Sequence, residues 1–224
     1  MKQMFKRSML AIWPICMGYV PLGLAMGVLG EKAGLSPLQV GFMSILVFAG
    51  SGQFIAVSML TGGASVLSIV ATTFVVNLRH LLMSSALAVH YRGESRKKVS
   101  LLSYGIVDET FAVNMNQLKG GSWPIENAIT ASVAAHLSWI LSTIAGCFFG
   151  QFIPEKAFGL DYALTAMFIV LLIFQVGGGI FIFCALLSSA LAVGIALVLP
   201  GNAYIIIATL LTATIGVMVK KIKT

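Results

Sequence analysis

The chain has 224 residues, of which 58% are apolar and only 9% are charged, and its mean hydropathy is +0.99. A soluble domain carries about 25% charged residues, so this composition excludes a water-soluble globular fold and favours lipid as the solvent. The net charge of +7 does not indicate a nucleic-acid-binding surface, because the cations form clusters beside apolar stretches, as in the cytoplasmic loops of membrane proteins. These clusters are Lys2, Lys6 and Arg7; Arg92, Arg96, Lys97 and Lys98; and Lys220, Lys221 and Lys223.

Long apolar runs predict helices, because in lipid every backbone polar group needs a partner within its own segment or a closed barrel. Pro, Gly and charged residues divide the chain into about eight such runs, each near the length of roughly 20 residues that crosses a bilayer. We therefore predict an all-α, polytopic integral membrane helical bundle that forms a single domain over residues 1–224. The predicted segments are 10–30, 38–61, 64–90, 100–117, 125–153, 161–176, 180–199 and 202–219.

The basic clusters constrain how many segments cross the membrane. If all three clusters are cytoplasmic, an even number of crossings separates each pair, yet three segments precede Arg92 and five follow it. Either the charge bias misleads or one segment in each half does not cross. In the first half the candidate is 38–61, which Ala49–Gln53 interrupt, and in the second half it is 161–176, which is barely long enough. Transporters use broken segments of this kind to build binding sites.

Small residues recur at four-residue spacing on two segments. Gly23 and Gly27, and likewise Gly146 and Gly150, have the spacing that lets membrane helices pack closely. We interpret these pairs as helix-packing positions. A faint likeness between residues 12–27 and 98–113 is too weak to establish an internal repeat.

Ionisable residues inside apolar segments are the main candidates for function, because each costs about 2.5–3.5 kcal/mol at the centre of a membrane helix. Six residues qualify: Arg79, His80, Asp108, Glu109, His136 and Asp161.

The third segment contains Asn77, Arg79 and His80. On a helix Asn77, His80 and Ser84 share a face, whereas Arg79 points about 100° away. Arg79 could bind a substrate carboxylate through its fork of donors. It could equally form an ion pair with Asp108 or Glu109, and the two roles are compatible.

The fourth segment carries Asp108 and Glu109 in its middle, and Thr110, Asn114 and Gln117 extend its polar side. A face this polar must look into a protein interior or a water-filled cavity. Adjacent carboxylates diverge by about 100° on a helix. We therefore expect one acid to carry a proton or bind an ammonium group and the other to form an ion pair.

The second segment contains Gly50, Ser51, Gly52 and Gln53. If the helix breaks there, exposed amides at a half-helix N-terminus beginning near Gln53 would bind an anion such as a carboxylate. The alternative is a flexible, tightly packed helix.

Other reactive side chains do not form a recognisable site. His136 shares a face with Ser132 and Trp139 and is interpreted as a satisfied core histidine. No metal-ligand spacing or phosphate-binding loop occurs in the sequence, so we expect neither an enzyme nor a bound cofactor.

Six stretches in this order resemble the AzlC family of branched-chain amino acid permeases over nearly the whole chain. They are PLGLA (21–25), GLSP (34–37), FAGSGQF (48–54), NLRHLL (77–82), DETFA (108–112) and GLDYAL (159–164). After Asp161 the likeness is one of hydropathy only, and Gln175–Gly179 stand where many relatives carry basic residues.

The resemblance implies an exporter subunit in a bacterial cytoplasmic (inner) membrane, working with a small AzlD-like membrane protein of about four helices. Its substrates would be valine, leucine, isoleucine or methionine, and export would be coupled to protons. Arg79 or the amides of 50–53 would hold the substrate carboxylate, and Asp108 or Glu109 its ammonium group or a proton. Phe54, Met83 and Phe111 would contact the apolar side chain. The alternative is an ion or small-solute channel or carrier.

Overall fold

The computed structural model describes residues 2–152, 178–198 and 203–223, together with the single positions 162, 169, 172 and 173. Every regular element in these residues is a helix, which confirms the predicted all-α class. Asp161 and most of the predicted segment 161–176 lie outside the described residues. The helices are α1 Lys2–Lys32, α2 Pro37–Leu46, α3 Gly50–Thr61, α4 Val66–Ala88, α5 Arg96–Tyr104, α6 Asp108–Lys119, α7 Ile125–Gly150, α8 Gly179–Val198 and α9 Ala203–Lys223. A 3-10 turn over Val89–Tyr91 extends α4.

Four of the described helices are long and apolar enough to cross a membrane. They are α1, α4 with its 3-10 turn, α7 and α8. By contrast, α2, α3, α5 and α6 have only 9 to 12 residues each. At a rise of about 1.5 Å per residue each of these short helices covers only about half of a bilayer.

Helices α1 and α7 pack against each other in parallel. Near the start of both helices the Asn127 side-chain amide donates to the carbonyl of Met4 at 3.2 Å. Near their ends, a Cβ built on Gly150 would lie 3.1 Å from that of Glu31. The two N-terminal ends therefore lie on one side of the membrane, which we call the N side, and the two C-terminal ends lie on the C side.

Glycines make this crossing close, as the four-residue spacings predicted. A Cβ built on Gly27 would lie 2.1 Å from the carbonyl oxygen of Thr143, and one on Gly146 would lie 2.2 Å from that of Leu24. Backbone therefore packs against backbone, which only a residue without a side chain permits.

Helices α2 and α3 form a hairpin that enters the membrane from the C side and returns to it. Only four residues separate the end of α1 from the start of α2. The end of α3 is also on the C side, because Thr61 lines a cavity together with Leu29 and Lys32 of α1. The chain reverses at Val47–Ala49, between the two helices. The predicted break in segment 38–61 is confirmed, and the placement of both ends on the C side agrees with the prediction that this segment does not cross.

Helices α5 and α6 form a second hairpin, which enters from the N side. The Tyr91 hydroxyl donates to the carbonyl of Trp123 at 3.1 Å. Lys98 at the start of α5 forms an ion pair with Glu126 at the start of α7, 2.6 Å away. The residues before α5 and those after α6 therefore lie on the same side, so this segment returns without crossing.

This second hairpin corrects the prediction of a continuous fourth segment. Helix α5 ends at Tyr104, and α6 starts at Asp108. The Thr110 hydroxyl stabilises the interruption by accepting from the Val107 amide at 2.9 Å and donating to the Gly105 carbonyl at 2.8 Å. The sequence concealed this break because only one glycine marks it among apolar residues.

The two hairpins and the long helices that follow them form an inverted repeat with a shift of 59 residues. α2 and α5 start at 37 and 96, and α4 and α7 start at 66 and 125. Ser44 of α2 bonds to Thr143 of α7 at 2.8 Å. At the positions 59 residues apart, Ser84 of α4 donates to the Ser103 carbonyl of α5 at 3.4 Å. This repeat is distinct from the faint likeness between 12–27 and 98–113.

We expect Gly27→Val to destabilise the protein, because the added methyl groups would overlap the backbone of α7. Overpacking of this kind costs about 1–3 kcal/mol or more. Thermal unfolding in detergent should show a lower Tm for Gly27→Val. Gly18→Val, on the same helix with open space around it, is the matched control and should unfold near the wild-type temperature.

The re-entrant hairpins predict which loops share a side of the membrane. In a background without native cysteines, Lys32→Cys and Ala64→Cys should react with an impermeant maleimide from one side. Glu94→Cys and Ser122→Cys should react only from the other side. Labelling of Lys32→Cys and Ala64→Cys from opposite sides would mean that α2 and α3 cross the membrane.

Candidate functional site

The tips of the two hairpins meet and enclose a small polar cavity. The start of α3 contributes Gly50 and Ser51, and the start of α6 contributes Asp108 and Glu109. The cavity volume is about 20 Å³, which is room for about one water molecule. Its other walls include Tyr19, Leu22, Phe48, His80, Val107 and Trp139.

Arg79 joins the two hairpin tips. Its Nη1 lies 2.8 Å from Oδ2 of Asp108, and its Nη2 donates to the Ser51 hydroxyl. The predicted ion pair between Arg79 and an acid of the fourth segment is therefore present. Asp108 is the first residue of α6 and not a mid-helix residue, and the dipole at a helix N-terminus favours its negative charge.

Glu109 has a different partner, which the sequence analysis missed. Its Oε2 accepts a hydrogen bond of 3.0 Å from the hydroxyl of Tyr19 on α1. The Tyr19 ring packs edge-on against Trp139, with centroids 5.3 Å apart. The two adjacent acids thus diverge, as expected, one toward α4 and the other toward α1.

Gln53 links α3 to α2 and α7 and does not line the cavity. Its side chain is 1% exposed, donates to Ser44 at 3.0 Å and accepts from the Trp139 indole at 2.7 Å. Helix α3 starts at Gly50, three residues before the predicted N-terminus. The amides near the cavity are therefore those of the first turn, before Gln53.

Glycines bring α4 and α7 close to the first turn of α3. A Cβ on Gly52 would lie 2.9 Å from Nδ2 of Asn77, and one on Gly50 would lie 3.2 Å from the Trp139 ring. Three buried polar atoms near these contacts have no hydrogen-bond partner among the described residues: Asn77 Oδ1, Arg79 Nε and His80 Nε2. Buried polar atoms are normally paired, so this cluster has capacity for a bound water or ligand.

Two aromatic side chains satisfy carbonyls that the end of α2 leaves free. His136 Nε2 lies 2.9 Å from the Ser44 carbonyl, which can only accept, so this nitrogen carries the proton. The Tyr104 hydroxyl donates to the Ile45 carbonyl. His136 also stacks on Phe48, with centroids 4.3 Å apart. His136 is therefore a satisfied core histidine, as interpreted from the sequence.

A much larger cavity, which we call the groove, adjoins the charged residues. It shares Arg79, Asp108 and Glu109 with the small cavity, and its volume is about 790 Å³. It extends toward the N side, because its other walls lie one or two turns in that direction on α1, α4 and α6. Its apolar walls are Ile15, Leu82, Met83, Phe111, Ala112 and Val113.

The predicted apolar contacts fall into two groups. Met83 and Phe111 line the groove beside the charges. Phe54 is 1% exposed and lines a separate cavity near Lys32 on the C side. Phe54 therefore packs away from the charged residues.

Comparison with known proteins gives a family match that covers the whole inverted repeat. The profile described as AzlC protein matches residues 14–153. The chain is 33% identical over 211 residues to the branched-chain amino acid transport protein AzlC of Bacillus subtilis, covering 92% of this chain and 80% of that protein.

More distant relatives are also membrane proteins. The inner membrane protein YgaZ of Escherichia coli is 29% identical over 167 residues, which cover 71% of this chain and 68% of that protein. A membrane protein of Archaeoglobus fulgidus is 27% identical over 173 residues, with 76% and 75% covered. No solved structure matches the chain.

The expected location in the cytoplasmic (inner) membrane, as a multi-pass protein, agrees with these relatives and with the membrane-spanning helices. The family profile spans more than half of the chain, and the Bacillus relative is similar over nearly all of it. The chain belongs to the AzlC family.

Proposed function

We propose that the chain is the large subunit of a proton-coupled secondary exporter of branched-chain amino acids, with valine, leucine, isoleucine and methionine as substrates. A small AzlD-like membrane protein would be its partner. The name of the Bacillus relative supports the substrate class. The observation that carries the proposal is the ion pair between Arg79 and Asp108 at the end of an apolar groove.

This ion pair presents the two charges that an α-amino acid requires. A substrate carboxylate would take the Arg79 guanidinium in a bidentate pair, and the ammonium group would bind the released Asp108. One internal ion pair is thereby replaced by two pairs with the zwitterion, so no charge is left buried without a partner. Ser51 and the free amides of the first turn of α3 lie beside the carboxylate position.

The volumes of the two cavities define where the substrate would enter. The small cavity holds about one water molecule and cannot hold an amino acid. The groove, with about 790 Å³, can receive the substrate side chain against Met83 and Phe111. The substrate would thus reach Arg79 from the N side.

The position of the groove supports export. The clusters around Lys6 and Arg96 belong to segments that lie on the N side, and basic clusters mark the cytoplasmic side of a membrane protein. With the N side in the cytoplasm, the groove would open toward the compartment from which an exporter loads its substrate.

Charge balance supports coupling to protons. With Arg79, Asp108 and Glu109 ionised, the site has a formal charge of +1 − 1 − 1 = −1, and a zwitterion adds none. A charge at membrane depth is expensive, so we propose that a proton on Glu109 accompanies transport. His80, which lines the same cavity with Nε2 unpaired among the described residues, is the second candidate carrier.

The outer surfaces of two spanning helices leave room for a partner subunit. Only Thr72 and Leu87 of α4 are buried, and no residue of α8 is buried. Phe74, Leu81 and Leu186 are at least 65% exposed on these helices. An AzlD-like subunit packed on either surface would replace lipid there.

Asp108→Asn should abolish valine efflux, because the variant can no longer hold the substrate ammonium group. The measurement is efflux of labelled valine from proteoliposomes that contain the chain with its partner. Glu94→Gln, which changes an exposed acid, should retain wild-type efflux.

A double variant distinguishes substrate binding from a purely structural ion pair. Arg79→Gln with Asp108→Asn removes both charges, so neither remains buried alone. We expect this variant to fold, with a Tm above that of Asp108→Asn, and to remain inactive. Wild-type efflux by the double variant would refute the proposed binding site.

Glu109→Gln should separate substrate exchange from proton coupling. The amide can still accept a hydrogen bond from Tyr19 but cannot release a proton. We expect exchange of labelled leucine for unlabelled leucine to persist, whereas efflux driven by a pH gradient should be lost. Gradient-driven efflux at the wild-type rate would exclude Glu109 as the coupling group and leave His80→Gln to be tested in the same way.

A further inference from the structure

We infer that the groove accepts large apolar amino acids, including phenylalanine and tryptophan, and that Ala112 sets the upper limit on side-chain size. This inference rests on the proposed function, because it takes Arg79 and Asp108 as the site of the zwitterion. It goes beyond that function by extending the substrate class from branched aliphatic to aromatic side chains.

The length of the groove along α6 is the first observation that supports this inference. Ile15, Met83 and Ala112 lie one helical turn toward the N side of Tyr19, Arg79 and Asp108, respectively. Asn116 lines the groove two turns beyond Asp108, which is about 12 Å along α6 at a rise of 1.5 Å per residue. The side chain of valine or leucine covers about one turn of about 5 Å, so it would leave the outer part of the groove empty.

The volume of the groove leads to the same conclusion. At about 790 Å³ it is within the range of about 300–1,000 Å³ that holds a drug-sized ligand. A four-carbon side chain needs only a small part of that space. An indole or phenyl ring would make better use of the apolar walls, since aromatic side chains bury more apolar surface.

Three side chains of the groove suit a ligand larger than a branched aliphatic group. Met83 has an unbranched, adaptable thioether side chain that can follow ligands of different shape. Phe111 offers a ring for aromatic contact. Ala112, one turn from Asp108, is the smallest of the lining side chains. Its methyl group therefore leaves open the space that a ring would occupy.

Ala112→Leu tests this inference because it fills the groove without changing a charge. The assay is exchange of labelled leucine in proteoliposomes, with unlabelled valine, phenylalanine or tryptophan as competitor. In the wild type all three should compete. Ala112→Leu should weaken competition by phenylalanine and tryptophan about tenfold or more and should weaken competition by valine less.

Ala86→Leu is the matched control, because Ala86 is exposed on α4 and does not line the groove. It should behave as the wild type with every competitor. If Ala112→Leu loses leucine exchange altogether, the smaller change Ala112→Val takes its place in the assay. Ala112→Val must then show the same selective loss of aromatic competition. Unchanged aromatic competition in that variant would contradict the inference.

The remaining outcomes separate this inference from the proposed function. Leucine exchange without competition by phenylalanine or tryptophan would overturn the inference and leave the proposed function standing. An Ala112→Leu variant that keeps full aromatic competition would do the same, because Ala112 would then not limit the size of the side chain. Absence of leucine exchange in the wild type would overturn the proposed function, and the inference with it.

Discussion

Backbone polar groups inside a membrane must find partners within the protein, and the rest of this structure depends on how the two hairpins meet that requirement. Where α2 ends, His136 and Tyr104 bind the carbonyls of Ser44 and Ile45. Where α5 ends, the hydroxyl of Thr110 binds the Gly105 carbonyl and the Val107 amide. These contacts fix the hairpin tips against α7 and against each other.

Two helix N-termini then lie beside the same cavity, and this determines the place of the charges. A carboxylate is favoured at the start of α6, where Asp108 stands. Arg79 binds both tips, through Asp108 and Ser51. Any ligand that draws Arg79 away from Asp108 also changes the contact between the hairpins. The structural role of Arg79 and its proposed binding role therefore involve one and the same contact.

The break in the first hairpin could be predicted from the sequence, whereas the break in the second could not. The first hairpin was visible because Gly50 and Gly52 interrupt an apolar run. The second was missed because Asp108 and Glu109 were interpreted as a polar face within one helix, whereas they begin a new helix. Local sequence gave little sign of that break beyond Gly105.

The partners of the polar tips could not be predicted, because they come from distant parts of the chain. Tyr19 lies 90 residues from Glu109, to which it donates, and Trp139 lies 86 residues from Gln53. Neither tyrosine nor tryptophan is unusual within an apolar segment. Only the packing of α1 and α7 against the hairpins makes these side chains part of the site.

The inverted repeat also shows where the two halves of the molecule differ. Met83 lines the open groove in the first unit, and its counterpart 59 residues later, 83 + 59 = 142, is Ser142. Ser142 is only 6% exposed and donates to the Tyr19 carbonyl of α1 at 3.1 Å.

Helix α1 therefore covers in the second unit the position that is open in the first. For the proposed transport toward the C side, α1 would have to move away from Ser142. Ser142 fills the space beside Gly23, and the backbone of α7 fills the space beside Gly27. The two glycines therefore let α1 pack closely enough on α7 to cover this position.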